Sequence, residues 1–307
     1  MRNAFADEVT QLAQIDSRLV LLSGDIGNKL FDNFKKVDTK RFLNCGIAEA
    51  NMMGVAAGLA LSGLRPIVYS ITPFTTTRCF EQIRVDVCYH EAPVIIIGTG
   101  SGLSYADLGP THHSLEDLAI LRTLPGIQVI APCDAFEMRL ALRAAIKSNI
   151  PTYIRIGKKG EPEIHGQNIS FEIGKAITVR NGSDVILIVT GTLMPNVLVA
   201  AELLFQQGIS SQVVSFHTIK PLDELYLKEI ALSYKLVITI EEHGRLGGLG
   251  GAVAEFLSQF SEHPPHVRLG TKDEFMHEMG GQEYAHRRYH LDAKGLAQTI
   301  KNYMHRQ

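Results

Sequence analysis

Short runs of apolar residues alternate with helical patterns along the chain, and this alternation constrains the fold more than any other feature. In the first half, helical patterns at residues 46–62, 77–89, 114–122 and 134–147 separate apolar runs at Leu19 to Leu22, Ile67 to Ser70, Val94 to Gly98, Val129 to Ala131 and Tyr153 to Ile156. Runs that are apolar throughout are typical of strands buried on both faces. We therefore predict a parallel sheet with helices on both sides.

A polar segment divides the chain into two predicted domains. Residues 157–174, GKKGEPEIHGQNISFEIG, are rich in Gly and lack any periodicity, which predicts a linker. A second alternation follows, with apolar runs at Val185 to Val189, Gln212 to Phe216 and Val237 to Glu241 and helices at about 195–207, 222–231 and 248–260. We therefore expect an α/β domain over residues 1–160 and a smaller α/β domain with a mixed sheet over residues 174–307.

Charge and cysteine content narrow the class of function. Lys and Arg number 30 against 32 Asp and Glu, so no overall attraction to nucleic acid or to an anionic membrane is expected. The longest apolar runs are too short to span a bilayer, and the N-terminal stretch lacks the apolar region of a signal peptide, which predicts a cytoplasmic protein. Cys45, Cys79, Cys88 and Cys133 form no CxxC pair, so buried, reduced thiols are expected. A small-molecule substrate is favoured.

One carboxylate interrupts a helical stretch of small and apolar residues. In GIAEANMMGVAAGLALSG, residues 46–63, Glu49 and the amide Asn51 stand out from their neighbours. A carboxylate in the first turn of a helix can serve simply as a partner for free backbone N–H groups. Glu49 taken alone therefore leaves a structural and a functional role open.

A long glycine-containing loop carries two adjacent histidines. The segment GTGSGLSYADL precedes Gly109-Pro110-Thr111-His112-His113, and the helical stretch SLEDLAILRTL follows. Such loops are uncommon unless they face a ligand. His112 and His113 are therefore candidate site residues, with solvated loop histidines as the alternative.

Together these segments resemble the thiamine-diphosphate-dependent transketolase family, and specifically the C-terminal subunit of its two-subunit, or split, members. The run RFLNCGIAEANMMGVAAGLALSGLRPIV is similar to the stretch that holds the cofactor-activating glutamate, and GLSYADLGPTHHSLEDLAILRTLPGIQVIAPCD to the donor-binding loop. The second half adds DVILIVTGT, SFHTIKPLD and EEHGRLGGLGGAVAE. The resemblance implies a parallel-sheet pyrimidine-binding domain followed by a smaller transketolase C-terminal-type α/β domain.

The resemblance assigns chemical roles to the carboxylate and to one histidine. Thiamine diphosphate supplies a C2 carbanion, and the protein has to make C2 acidic. In the family a buried glutamate bonds N1′ of the aminopyrimidine and favours the imino tautomer, whose 4′-nitrogen removes the C2 proton. Glu49 matches that glutamate. His112 matches the histidine that contacts the C1 hydroxyl of the donor.

Further cofactor contacts follow from the same resemblance. Phe74 matches the aromatic residue that stacks on the pyrimidine, and Phe80 matches less well. With Thr77 they recur every three residues, which would place them on one face of a helical entry. Asp25 matches an acidic residue near the thiazolium, with a turn-forming aspartate as the alternative.

Substrate contacts are implied at four further positions. Asp107 lies near the acid that reads donor stereochemistry, although Leu108 separates it from Gly109 in a departure from the family pattern. Lys158 stands where the family carries a phosphate-binding arginine, and Arg2 is in register with another. Lys29 is a looser candidate, and solvated surface charges are the alternative for all three cations. A lysine lacks the bidentate fork of arginine, so the preference for phosphate is less secure.

One family motif is missing from the sequence. The family holds Mg²⁺ and the diphosphate through a GDG motif, and these 307 residues contain none. The resemblance therefore implies an N-terminal transketolase subunit that binds both groups, an α2β2 assembly, and no metal ligand in this chain. The activity expected of the pair is transfer of a two-carbon ketol unit from a ketose phosphate, or a similar anionic ketose, to an aldose.

Three alternatives stay open from the sequence. A 2-oxoacid dehydrogenase β subunit would carry a GG-x-x-HSQ type of loop, which is absent. A deoxyxylulose-phosphate-synthase-like activity fits ADLGPTH, but that enzyme is normally one chain with its own GDG. A non-catalytic scaffolding subunit would not need Glu49 and His112.

Overall fold

Two mostly parallel sheets, each packed against helices, form the computed structural model of the chain, which describes residues 1–166, 169–230 and 233–305. The first domain contains α1 (Arg2–Ile15), β1 (Leu19–Ser23), α2 (Asp32–Val37), β2 (Phe42–Asn44), α3 (Glu49–Leu61), β3 (Arg65–Ile71), α4 (Thr72–Thr75), α5 (Phe80–Gln82), β4 (Ile95–Thr99), α6 (Asp117–Arg122), β5 (Gln128–Ile130), α7 (Ala135–Ser148) and β6 (Thr152–Ile156). Single 3₁₀ turns occupy Thr39–Arg41, Thr77–Cys79 and Ala106–Leu108, and a π-helix occupies Ile83–Tyr89.

The second domain is smaller and repeats the alternation. It contains β7 (Ile177–Arg180), β8 (Val185–Val189), α8 (Met194–Phe205), β9 (Ser211–Ser215), β10 (Thr218–Lys220), α9 (Glu224–Ile230), β11 (Val237–Gly244), α10 (Leu249–Leu257), β12 (His266–Thr271), α11 (Gln282–Arg288) and α12 (Ala293–Met304), with a 3₁₀ turn at Gly191–Leu193. The predicted α/β class is confirmed.

Both sheets are parallel except at one edge. The first has the strand order β10-β5-β6-β4-β3-β1-β2, and only β10 runs antiparallel to its neighbour. The second has the order β12-β11-β8-β9-β7, with β7 antiparallel to β9, so the predicted mixed sheet is confirmed. Every residue of β1, β4, β6 and β8 is buried, as expected of runs that are apolar throughout.

The helix predicted over residues 77–89 is interrupted instead of continuous. The backbone leaves helical geometry at Thr76 (φ −119°, ψ −84°), then passes through the 3₁₀ turn, α5 and the π-helix. Hydroxyl groups of consecutive threonines explain the break, because Thr76 Oγ1 donates to the Thr72 carbonyl (2.7 Å) and Thr77 Oγ1 to the Pro73 carbonyl (2.8 Å). Such bonds compete with the backbone ladder. Phe74, Thr77 and Phe80 therefore lie on separate segments and not on one helical face.

Some elements differ from the sequence prediction. Four strands, β2, β7, β10 and β12, were not predicted because each is short or lacks a continuous apolar run. The helix predicted at 222–231 ends at Ile230 in α9, and residue 231 lies outside the described residues. Residues 167–168 of the predicted linker and residues 306–307 of the predicted second domain also lie outside them.

A buried polar cluster joins the first domain, the linker and the second domain. Asp134 caps α7 by accepting from the Glu137 N–H (2.9 Å), and its other oxygen accepts from the backbone N–H groups of Ile164 and His165 (2.8 Å each). Glu137 accepts from His165 Nε2 (2.9 Å) and from Ser215 Oγ (2.7 Å) of β9. The domains are therefore connected by satisfied hydrogen bonds as well as by apolar contact.

The cysteines follow the prediction except at one position. All four are free thiols, and Cys79, Cys88 and Cys133 are buried, but Cys45 is only half-buried. Cys45 follows β2 at the exposed edge of the first sheet, which explains its exposure. None of the described helices combines the length and the apolar character needed to cross a membrane.

Candidate active site

The carboxyl edge of the first sheet gathers most of the candidate residues. Asp25 follows β1, Phe74 follows β3, the histidine loop follows β4 and Lys158 follows β6. Because these strands are parallel, the segments that leave them lie at one edge, where ligands bind in sheets of this type. Arg2 reaches the same edge because α1 runs back across the sheet before β1 begins.

Glu49 is the first residue of α3 and is only 2% exposed. Its Oε2 lies 3.2 Å from Nη1 of Arg78. Gly24, at the end of β1, makes room for the carboxylate, since a Cβ there would lie 3.3 Å from Glu49 Cγ and 3.0 Å from Ser70 Oγ. The Ser70 hydroxyl is buried and has no hydrogen-bond partner among the described residues. Glu49 therefore lies next to unfilled polar capacity.

Arg78 connects Glu49 to the aromatic side chain of Phe74. The guanidinium carbon lies 4.1 Å from the centroid of the Phe74 ring, within the range of a cation–π contact. Phe74 in turn meets the His112 ring edge-on, with centroids 5.2 Å apart. Glu49, Arg78, Phe74 and His112 thus form one connected row of side chains.

His112 is half-buried in the loop between β4 and α6. Its Nδ1 lies 2.9 Å from Thr111 Oγ1. Burial, and then the charges of His113 and Arg78, lower the pKa of His112 below its usual value, so the neutral imidazole prevails near pH 7. The neighbouring His113 is buried, with Nε2 3.3 Å from the Ala106 carbonyl, and closes the loop internally.

Tyr105 brings the basic candidates together. A cavity of about 270 Å³ is lined by Arg2, Ile26, Gly27, Asn28, Lys29, Leu30, Tyr69, Ile71, Thr99 and Tyr105, a set with two cations and no acidic side chain. Lys158 Nζ lies over the Tyr105 ring, 4.3 Å from its centroid. The Arg2 Nε is buried and has no hydrogen-bond partner among the described residues. This cavity has the charge and the unused donors to hold an anion.

The structure places the remaining candidates differently. Asp25 is exposed with a left-handed backbone (φ 55°), and its Oδ1 accepts from Asn44 Nδ2 (2.9 Å), an arrangement typical of a turn. Asp107 is exposed in its 3₁₀ turn, near enough for its charge to act on the pKa of His112. Phe80 packs against the apolar cluster of the first domain.

Two residues of the site were missed by the sequence reasoning. Arg78 stands four residues after Phe74, and this spacing in a helical stretch could have indicated their stacking. Tyr105 is the aromatic residue of the histidine loop, next to the glycine-rich segment that was interpreted as a ligand loop. Neither the pairing of Arg78 with Glu49 nor that of Tyr105 with Lys158 follows from sequence spacing.

The row from Glu49 to His112 has the chemistry to hold a flat nitrogen heterocycle. The Arg78 guanidinium, a planar group with N–H donors, already stacks on Phe74 and donates to Glu49. A protonated or imino pyrimidine ring offers the same two features, a flat face and a ring N–H. Such a ring would replace the guanidinium on the same two groups.

One cluster of potential metal ligands lies at the domain junction. The ligand atoms of Cys133, Glu137 and His165 all lie within 4.8 Å of one another. Glu137 already bonds His165 and Ser215, and burial raises the pKa of the Cys133 thiol well above its usual value, which disfavours the thiolate that a metal needs. We interpret this cluster as structural.

Comparison with known proteins covers nearly the whole chain. The family model described as the transketolase pyrimidine-binding domain matches residues 1–161, and the one described as the transketolase C-terminal domain matches residues 174–295. One of the two subunits of the apulose-4-phosphate transketolase of Phocaeicola vulgatus is 36% identical over 307 residues, covering 99% of this chain and 97% of that protein. The SqwH subunit of the 6-deoxy-6-sulfo-D-fructose transketolase of Clostridium sp. (strain MSTE9) is 35% identical over 300 residues, covering 97% and 92%.

A solved structure has the same fold over the same length. A split-gene transketolase, described as an inactive beta4 tetramer, superposes with a TM-score of 0.88 at 36% identity. The match covers 99% of this chain and 97% of that one.

Proposed function

Because the chain belongs to the transketolase family, we propose that it is the C-terminal subunit of a two-chain transketolase that moves a two-carbon ketol unit from an anionic ketose to an aldose. The observation that supports this most directly is the buried Glu49 carboxylate in a row with Phe74 and His112. An N-terminal partner would supply the diphosphate and Mg²⁺ site, as expected from the absence of GDG.

Glu49 and Phe74 have the positions needed to bind and polarise the aminopyrimidine of thiamine diphosphate. The bound cofactor supplies the carbanion that attacks the ketose carbonyl. Glu49 accepts the hydrogen bond of N1′, and burial makes this bond strong because little water competes for the carboxylate. Phe74 offers a flat face that fixes the plane of the ring. Both groups act before the substrate reacts.

His112 is suited to hold or move a proton at the donor hydroxyl. Its lowered pKa keeps the imidazole neutral near pH 7, so one ring nitrogen is free of a proton and can accept one. The Phe74 and Tyr105 rings contact the imidazole edge-on and restrict its orientation. A positioned base of this kind fits the transfer of a ketol unit between carbonyl acceptors.

Arg2, Lys29 and Lys158 would bind the far, anionic end of the sugar. Arg2 and Lys29 line the cavity beside Tyr105, and Lys158 lies on the ring of that tyrosine. The names of the two relatives specify a phosphate and a sulfo group on the substrates of those proteins. A cavity with several cations could accept either anion, so the sugar itself stays open.

A partner chain is further supported by apolar side chains exposed beside the site. Ile47 is 80% exposed just before α3, and Leu61 is 61% exposed at its end. Tyr89, on the π-helix that packs against α3, is 80% exposed. Exposed apolar side chains in one region are typical of protein interfaces. We propose that the N-terminal subunit covers this region in an α2β2 assembly.

Reconstitution tests the proposal. The chain is mixed with its N-terminal partner, thiamine diphosphate and Mg²⁺, and ketol transfer from ketose phosphates and from hydroxypyruvate is measured. We expect turnover only when both chains are present. Condensation with pyruvate would instead favour a deoxyxylulose-phosphate-synthase-like activity, and inactivity on all donors would favour the non-catalytic subunit.

A further inference from the structure

The loop that carries His112 is fastened at both of its ends to one strand of the second domain. At its start, the Leu103 N–H donates to Glu242 Oε1 (2.6 Å), and at its end the Leu115 carbonyl accepts from the Gly244 N–H (2.8 Å). The two ends also meet each other, since the Ser114 N–H donates to the Gly102 carbonyl (2.9 Å). Glu242 and Gly244 both lie in the last part of β11.

The packing around Glu242 is tight on the side that faces the loop. Gly102 has a left-handed backbone (φ +57°), and a Cβ there would lie 2.6 Å from Glu242 Cγ and 2.7 Å from its backbone oxygen. Leu103 and Ala106 are buried within the apolar cluster of the second domain, away from the core of their own domain. The first part of the loop is therefore anchored by the second domain in both polar and apolar contacts.

The Glu242 carboxylate is held in place from its own domain. It is 1% exposed, and it accepts from Thr192 Oγ1 (2.8 Å) and Gln282 Nε2 (3.0 Å). His286 Nε2 lies 3.3 Å from Oε2. Burial favours the neutral acid, but the charge of His286 and these hydrogen bonds lower the pKa of Glu242 to about 2. Near neutral pH the group that binds Leu103 is thus a fixed carboxylate.

A buried arginine of the first domain reaches the same point. Arg155 Nη2 donates to the Ser114 carbonyl (2.7 Å) and to the Glu242 carbonyl (2.9 Å), while its Nε bonds Asp117 (2.9 Å). The base of the loop and the end of β11 therefore share one hydrogen-bond donor.

We propose that Glu242 is a positioning residue, through which the second domain holds the histidine loop in the conformation that presents His112 to the donor. The inference rests on the proposed role of His112 and gives the second domain a part in the reaction without any contact to the substrate. Positioning errors of about 1 Å at a reacting group cost roughly 100-fold in rate.

The neighbouring Glu241 offers a matched control. Glu241 is also 1% exposed, but its oxygens accept from the backbone N–H groups of Leu249 and Gly250 (2.8 Å each) at the start of α10. It makes no described hydrogen bond to the loop at 100–113. Glu241→Gln therefore reproduces the loss of a buried charge in the same strand and leaves the loop contact intact.

Hydrogen exchange of the loop tests the inference without any substrate. In Glu242→Ala the amides of residues 101–115 should exchange roughly tenfold faster or more, because Leu103 loses its acceptor. Glu242→Gln should give a smaller increase, since an amide oxygen can still accept. Glu241→Gln should leave these amides unchanged. Equal exchange at residues 101–115 in all three variants and the wild type would overturn the proposal.

Kinetics of the two-chain complex distinguish positioning from general loss of structure. With hydroxypyruvate as the donor, Glu242→Gln should lower kcat on the order of 10- to 100-fold and leave the half-saturating concentration of thiamine diphosphate unchanged. In a His112→Ala background the same substitution should cause no further loss, because both act through one group. An undiminished effect in that background would show that Glu242 acts elsewhere. A wild-type complex without ketol transfer would refute the proposed function, and the exchange experiment would still decide the role of Glu242.

Discussion

At the residue scale, Glu49 is a buried carboxylate whose one ion-pair partner in the described structure is a half-exposed arginine. Glu49→Gln keeps the size of the side chain and one hydrogen bond, but an amide cannot favour the imino form as a carboxylate does. We expect turnover of the two-chain complex to fall on the order of 10²- to 10⁴-fold, with melting temperature nearly unchanged because the Arg78 side chain is 47% exposed.

Glu81→Gln is the control for Glu49→Gln. Glu81 is an exposed carboxylate that pairs with Arg84 on the surface. It should retain wild-type turnover. If Glu49→Gln also retained it, the assignment of Glu49 would be wrong.

Lys158 allows a test of the anionic end of the donor. Lys158→Ala should raise KM for a phosphorylated ketose about 10- to 150-fold with little change in kcat, since the charge contact is made equally in the ground and transition states. Hydroxypyruvate, which has no distal phosphate, should be affected little. Initial rates with both donors measure the difference.

The next residue supplies the control for Lys158. Lys159 is exposed and outside the described contacts of Tyr105, so Lys159→Ala should change neither KM. Equal losses on both donors in Lys158→Ala would mean that Lys158 supports the structure or the chemistry instead of the distal anion.

At the element scale, α7 depends on a cap that also holds the linker. Asp134 accepts three backbone N–H groups, from Glu137, Ile164 and His165. Asp134→Ala removes the cap, worth about 0.5–2 kcal/mol, and leaves buried donors unpaired at roughly 1–3 kcal/mol each. We expect a loss of about 2–4 kcal/mol in the free energy of unfolding, measured by urea titration.

Asp38 provides the comparison for the α7 cap. Its side chain caps a 3₁₀ turn through one bond to the Lys40 N–H (2.9 Å), at the surface. Asp38→Ala should therefore cost under about 1 kcal/mol. Equal losses in the two variants would show that the linker bonds of Asp134 contribute nothing.

The elements that the sequence predicted well are those with one dominant pattern. The apolar runs at β1, β4, β6 and β8 are buried throughout and could be identified from their composition. Parallel order then places the candidate residues at one edge. The break at Thr76 could not be predicted, because it depends on which acceptor each threonine hydroxyl finds. The contact of Leu103 with Glu242 spans 139 positions and has no local signal.

At the scale of the whole molecule, two buried glutamates at the domain junction make stability depend on acid. Burial opposes their ionisation, but histidine and hydroxyl or amide partners lower the pKa of Glu137 and of Glu242 to about 2, against 4.5 for the free side chain. Groups with a lowered folded pKa stabilise the protein above their unfolded pKa and lose that effect as the pH falls toward the folded value. Stability should therefore decline from about pH 4.5 down to pH 2.

Melting temperature as a function of pH checks this acid dependence. Glu137→Gln should be less stable than the wild type at pH 7, and the difference should shrink as the pH falls below about 4.5. A difference that stayed constant down to pH 2 would mean that the Glu137 charge does not contribute to stability.

The isolated chain gives a test of the shared cofactor site. Without its partner it should show no thermal shift with thiamine diphosphate and Mg²⁺, because a ligand stabilises only the state that binds it and the diphosphate site is expected on the other chain. Adding the N-terminal subunit should restore the shift. A clear shift of this chain alone at sub-millimolar cofactor would contradict the divided site.

The strand β10 has a consequence for how the chain could be divided. It belongs by sequence to the proposed second domain but closes the edge of the first sheet, antiparallel to β5. A fragment ending at residue 160 would leave β5 with an open edge, and open edges recruit strands from other molecules. Proteolytic nicking in the linker should therefore leave a single particle held together by β10, whereas a gene truncated at the same point should yield an aggregating product. The polypeptide has two domains, but as a folding unit it is not divisible at the segment that connects them.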